Sequence, residues 1–165
     1  MSLMAFVYGT PAGVVGAVSR PLETFVDTVT IDSSFTNYGE FGSFDATTGV
    51  FKNVSGSTTA VDGLLVRSVP NITGTLAAQF NQTVPNAVYV QGRMTRGYAK
   101  VLCTVGTPVR GGVVYVRVVA DTGKAIGDIE ATVDATPAHQ IVVANAEWAV
   151  NGKDASNIAE LYIKG

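Results

Sequence analysis

The sequence predicts an all-β fold: a single β-barrel or β-sandwich of about eight to ten short strands, with an extended N-terminal arm. Three observations carry that reading. Val and Thr number 26 and 18 of 165 residues, and β-branched side chains suit a pleated surface better than a helix. Short apolar runs with period-two alternation recur about every ten residues, bounded by Gly, Pro, Asn and Asp. The best helical turn, LAAQF at residues 76–80, is short and weak. Residues 1–22 form the arm in this reading, and residues 23–165 form the β-domain, interrupted by a polar, Thr- and Asn-rich excursion at residues 70–86 between two VPN triplets.

Taken in order, residues 24–31 (TFVDTVTI) alternate as a first strand, with Phe25, Val29 and Ile31 on one face. Residues 32–49 are rich in Gly, Ser and Asn and carry Phe35, Tyr38, Phe41 and Phe44 three apart. The glycines argue against a helix there, which leaves irregular chain pinned by aromatic anchors. A DATTG turn leads into a short strand at 50–54, and GLLVRSV at 63–69 reads as a buried strand ended by Pro70. In the second half, strands fall at 87–91, 97–105, 113–120, 128–133, 141–143, 147–150 and 157–163. Turns are marked by Gly111-Gly112, DTGKAIG at 121–127 and Asn151-Gly152.

Charge and cysteine narrow the function. Lys plus Arg is 11 and Asp plus Glu is 13, a net charge of −2, which gives no electrostatic footprint for nucleic acid or an anionic membrane. No apolar stretch reaches the roughly 20 residues of a membrane helix. The one cysteine, Cys103, sits on an alternating apolar face and reads as a small core side chain; no intrachain disulfide is possible. His139, the one histidine, lies beside Pro137 in a turn with no Cys or His at ligand spacing. GTPAGVVG at 9–16 lacks the Lys-Ser/Thr ending of a phosphate loop. Asp121, Asp128, Glu130 and Asp134 cluster without a calcium-loop spacing and read as turn acids. The triplets at Asn53, Asn71 and Asn81 fit chance in a chain this rich in Thr and Ser. The chain is therefore expected to have no catalytic residues, no metal and no cofactor.

What remains is surplus apolar surface. Between Ser2 and Ser19 no side chain is charged, and no Lys or Arg precedes the apolar run as in a signal peptide. An exposed segment of this kind marks a contact surface. The expected partner interface comprises Met4, Phe6, Val7, Tyr8, Val14 and Val15 of the arm. It also includes Arg93 and Arg96, which with Lys100 form a basic cluster around Tyr98. The chain reads as a subunit of an assembly. A tail or baseplate β-protein shares this composition, and a carbohydrate-binding module stacking sugars on Tyr38, Tyr98, Tyr115 or Trp148 is a further reading.

Particular segments resemble the structural cement, or capsid decoration, proteins of tailed bacteriophages. These are GTPAGVVGAVSR, ETFVDTVTID, FGSFDATTG, GLLVRSVPN, RGYAKV, GGVVYVRVVADTGKAIGDIEA and AEWAVNGKDASNIAELYI, spread from Thr10 to Ile163. The chain departs from the family pattern after Val69-Pro70, where the excursion replaces a proline-rich stretch. The resemblance implies a non-enzymatic protein made in the host cytoplasm and placed on the outside of the mature head, where major capsid subunits meet. Its partners would be the major capsid protein and neighbouring copies of itself, as a trimer in preference to a dimer.

Overall fold

The computed structural model describes residues 14–67, 85, 87 and 90–165. Met4, Phe6, Val7, Tyr8, the turn at 76–80, nearly all of the excursion and most of the strand expected at 87–91 lie outside the described residues.

The fold is all-β, as the sequence predicts. Among the described residues there are nine strands: β1 (Phe25–Val29), β2 (Phe41–Phe44), β3 (Phe51–Asn53), β4 (Gly63–Val66), β5 (Gln91–Val105), β6 (Val113–Arg117), β7 (Ile129–Glu130), β8 (Gln140–Trp148) and β9 (Ile158–Ile163). Single 3-10 turns occur at Pro21–Glu23 and Pro137–His139, each with proline at its first position, where a missing N–H costs nothing. Among the described residues there is no α-helix.

One sheet holds these strands, eight of them in the order β3-β2-β4-β5-β7-β6-β8-β9, with β1 pairing with β5 off this path and β9 also pairing with β5. The sheet therefore folds back on itself around β5. The first part of β5 pairs with β1 on one edge and β4 on the other. Its second part pairs with β9 from Gly97 to Leu102 and, in parallel, with β7 at Cys103 and Val105. The other named pairs are antiparallel.

β4 shows why GLLV is continuously apolar. Leu64 and Val66 enter the main core with Phe41, Met94, Val101, Cys103, Val114, Val116, Trp148 and Leu161. Leu65 points the other way, into a second cluster of Val29, Ile31, Phe35, Tyr38 and Phe51. A strand buried on both faces has no use for a polar alternation.

Several expectations change. The strand expected at 97–105 is the second part of a longer one of 15 residues, β5, which starts at Gln91 and runs through Gly92–Arg96. Those at 141–143 and 147–150 fuse into β8, whose register against β6 shifts between Val113 and Tyr115. The strand expected at 128–133 shrinks to the two residues of β7. The aromatics at 35, 38 and 41 are buried anchors, yet Phe41–Phe44 is a strand, not irregular chain. Phe25 does not share the buried face of Val29 and Ile31: it is 71% exposed. The β1–β5 register slips between Phe25 and Val26, whose partners are Arg96 and Met94, so Thr95 is left over as an extra residue on β5.

Candidate interaction surface

The acidic residues of the second half are structural. Arg117, from β6, is completely buried and donates through Nε to Glu130 Oε1 at 2.6 Å and through Nη2 to Glu130 Oε2 at 3.2 Å. The same Nη2 reaches Asp134, which also accepts from Lys124 Nζ at 2.6 Å and from the Thr136 amide at 2.8 Å. Gln140 donates to Glu130 and accepts from the Asp134 amide at 2.7 Å. Two cations thus meet two carboxylates, and the remaining polar atoms are hydrogen-bonded. That is the condition for tolerating buried charge. Asp121 closes a turn with Lys124, and Asp128 accepts from the Ala125 amide at 2.8 Å.

The network makes stability depend on pH. Lys124, the Thr136 amide and Arg117 hold the Asp134 carboxyl well below the usual aspartate range, and the hydrogen bond from Arg93 lowers that of Asp27. A carboxylate with a depressed folded-state pKa stabilises the fold above its ordinary value and loses that contribution as pH falls through the folded value. Burial raises Glu40 and Asp128, which act oppositely and are relieved as pH falls. The melting temperature should therefore change little from neutral pH toward pH 5, then fall once pH drops below the ordinary aspartate value of 3.8. Calorimetry across this range checks it; an unchanged melting temperature well below that value would show the network contributes nothing.

Cys103 is buried, its thiol pushed up by burial, and its Sγ faces the carbonyls of Val105 and Gly106. His139 ends a 3-10 turn, and its carbonyl accepts from the Val118 and Val119 amides. Among the described residues, no group of three or more His, Cys, Asp or Glu is placed to hold a metal. Trp148 is 1% exposed and donates Nε1–H to Val113 O at 3.0 Å, which removes it as a sugar platform.

The described end of the arm lies against the domain. Gly16 N–H donates to Lys100 O, Lys100 N–H to Ala17 O, and Ser19 N–H to Tyr98 O, at 2.8–2.9 Å. At Ala99, β9 and Val18 therefore flank β5 on opposite edges. Gly16 takes φ +77°, and a Cβ there would sit 2.4 Å from Tyr38 Cβ, so only glycine lets the chain pass this close. Val14 and Val15 are half-buried and line a cavity of about 320 Å³ with Tyr38, Glu40, Arg67 and Asp128. Arg67 donates Nε–H to Val15 O at 2.8 Å.

The basic cluster does not act as one patch. Arg93 pairs with Asp27 and lies over the Phe44 ring, so its charge is met within the chain. Arg96 is exposed and lines a groove with Leu22, Phe25 and Tyr162. Tyr98 stacks on Tyr162 at 4.5 Å and carries Arg20 above it at 3.9 Å, and Arg20 also pairs with Glu160 at 3.1 Å.

Sequence reasoning missed the surface beside that groove. Leu22 is 94% exposed, and Phe25 and Val26 stand out of β1. Among the described residues no strand pairs with the outer edge of β1. The signal was present in FVDTV, an edge-strand sequence without Lys or Pro to block pairing.

An all-β domain with apolar, unpaired edges fits a structural subunit, and comparison with known proteins agrees. The fold is shared with a chain of a solved structure described as "The capsid of Myoviridae Phage XM1", at a TM-score of 0.64 and 19% sequence identity over 94% of this chain and 91% of that one. Residues 3–163 match the family model of the XM1 gp53 minor capsid protein. No curated protein matches the chain. The chain is a phage capsid-associated protein with a structural role in the virion. It belongs to the XM1 gp53 minor capsid protein family.

Proposed function

We propose that this protein is a capsid cement protein: it binds the outer surface of the mature head where major capsid subunits meet and strengthens the shell against internal DNA pressure, without catalysis. The observation that carries the reading is the match to a minor capsid family over residues 3–163, which includes the uncharged N-terminal segment. Met4, Phe6, Val7, Tyr8, Val14 and Val15 supply the contact in this reading, with Arg96 at the rim and Arg93 holding β1 in place. Partners are the major capsid protein and further copies of the chain, arranged as trimers in preference to dimers.

The mechanism is mass action. A protein that binds the intact, expanded lattice and not its dissociated subunits stabilises the lattice by RT ln(1 + [L]/Kd), about 2.7 kcal/mol per site at a hundredfold excess over Kd. Linkage between copies adds avidity without new contacts to the shell. Purified protein added to expanded capsids of its phage should occupy the outer surface and raise their disruption temperature. Binding with no gain in that temperature would overturn the cement reading.

A further inference from the structure

The outer edge of β1 is built to receive a strand. Leu65 gives its N–H to Glu40 and its carbonyl to Gly39. Hence Leu64 and Val66 are the residues of β4 that face β5, bonding Met94 and Gly92. In an antiparallel ladder the peptide groups alternate in direction. Arg93 and Gln91 therefore face β1, where their partners are Asp27 and Val29. That leaves the N–H and C=O groups of Val26 and Thr28 pointing outward, toward no described strand. The usual protections of an edge are missing: β1 has no Lys or Pro, and its one charge, Asp27, is bound to Arg93.

We propose that this edge accepts residues 4–8 of a second copy of the chain as an added β-strand. The inference rests on the reading above that the N-terminal segment docks on a neighbour. Three observations select this occupant. Residues 1–13 contain no charged side chain, which matches the apolar landing formed by Leu22, Phe25 and Val26. In MAFVY, Met4, Phe6 and Tyr8 alternate with Ala5 and Val7, and Gly9 and Pro11 end the run. The direction of the chain favours a neighbour's edge over the molecule's own, which only a nearly fully extended arm would reach. Residues 16–19 run beside β5 from Lys100 to Tyr98, so the chain enters at the Leu102 end, with Val14 near Leu102. The middle of β1 lies opposite Arg93, nine strand residues or about 30 Å away. Residues 4–8 precede Val14 by six to ten residues, about 20–33 Å at full extension. They would have to lie straight back along the course that residues 16–24 already take. A neighbour's edge carries no such constraint. An arm that leaves one end and docks at the other is a head-to-tail contact, which closes into a ring when the rotation allows.

The test uses full-length variants and sedimentation. Thr28→Pro removes an outward N–H and leaves the β5 ladder intact. Phe6→Asp combined with Val7→Pro disables the arm. The native chain should self-associate into closed rings, and each variant alone should lose association. An equimolar mixture should recover 1:1 pairs and stop there, because only one arm and one edge remain competent. A mixture that stays monomeric overturns the proposal, as does a native chain that is monomeric at every concentration or a Thr28→Pro chain that associates like the native one. If circular dichroism shows Thr28→Pro unfolded, Val26→Pro replaces it, since Val26 faces the same way. Excess synthetic peptide of residues 1–13 should dissociate the native assembly, and no effect would count against the edge as the site. Capsids stabilised by a chain whose variants fail to pair would sink this inference alone; pairing without capsid stabilisation would sink the cement reading alone.

Discussion

Replacing Arg117 with methionine should destabilise the fold by about 3–5 kcal/mol, the cost of breaking a buried ion pair from one side. In a domain of this size that lowers the melting temperature by roughly 10 °C. The reason lies in what stays behind. Glu130 is fully buried and would be left with only Gln140 as a donor, while Arg117 Nη1 would no longer bond Val119 O at 3.3 Å. Asp134 retains Lys124 and the Thr136 amide, so it suffers less. The double variant Arg117→Met with Glu130→Leu should therefore be more stable than the single one, because the orphaned carboxylate is gone. Chemical denaturation of the single and double variants measures both steps. A single variant as stable as the native protein would show that the network carries no net charge-pairing stability.

That network also marks where sequence reading stops. The alternation of residues 113–119 places Val114, Val116 and Val118 on the core face, and all three are buried. Arg117 falls on the opposite face by the same alternation, which reads as solvent. It is buried because residues 119–140 fold back over it: its N–H and C=O bond Asp128 and Gly127, and its side chain meets Glu130 and Asp134. The partners lie 13 and 17 residues away, beyond any local pattern. Long-range closure likewise explains β5. Arg93 and Arg96, between two glycines, fall in a gap between the strands the sequence predicts. They continue a strand because β1 and β4 pair with that stretch and Asp27 neutralises Arg93. Fold class, the buried Cys103 face and the short strands were legible because they depend on period-two alternation. The exposed apolar edge of β1 was not, because alternation groups Phe25 with Val29 and Ile31 without showing how much of the strand a neighbour covers.

Gly97→Val should loosen β1 and the inner end of the arm together while sparing the main core. Gly97 sits where the pairing of β5 with β1 ends and its pairing with β9 begins, at φ +125°, a conformation that side chains rarely adopt. A Cβ there would lie 2.8 Å from Thr24 Cα and 2.4 Å from Thr24 Oγ1. Backbone strain and overpacking each cost about 1–3 kcal/mol, so the variant should lose roughly 2–6 kcal/mol. Thr24 is the residue that must move, because Gly97 is held in the ladder with Ile163. The displaced stretch takes with it the Arg20 contacts to Tyr98 and Glu160, which tie residues 20–24 to β5 and β9. Hydrogen exchange should then show lost protection at the β5-facing amides Asp27 and Val29 and at Ser19, while Val101, Leu161 and Trp148 stay slow. Uniform loss across the sheet would mean instead that β1 and the core open as one unit. A free chain that exchanges faster at residues 19–29, with its interior intact, is also the material in which to ask how far attachment to the capsid depends on that edge.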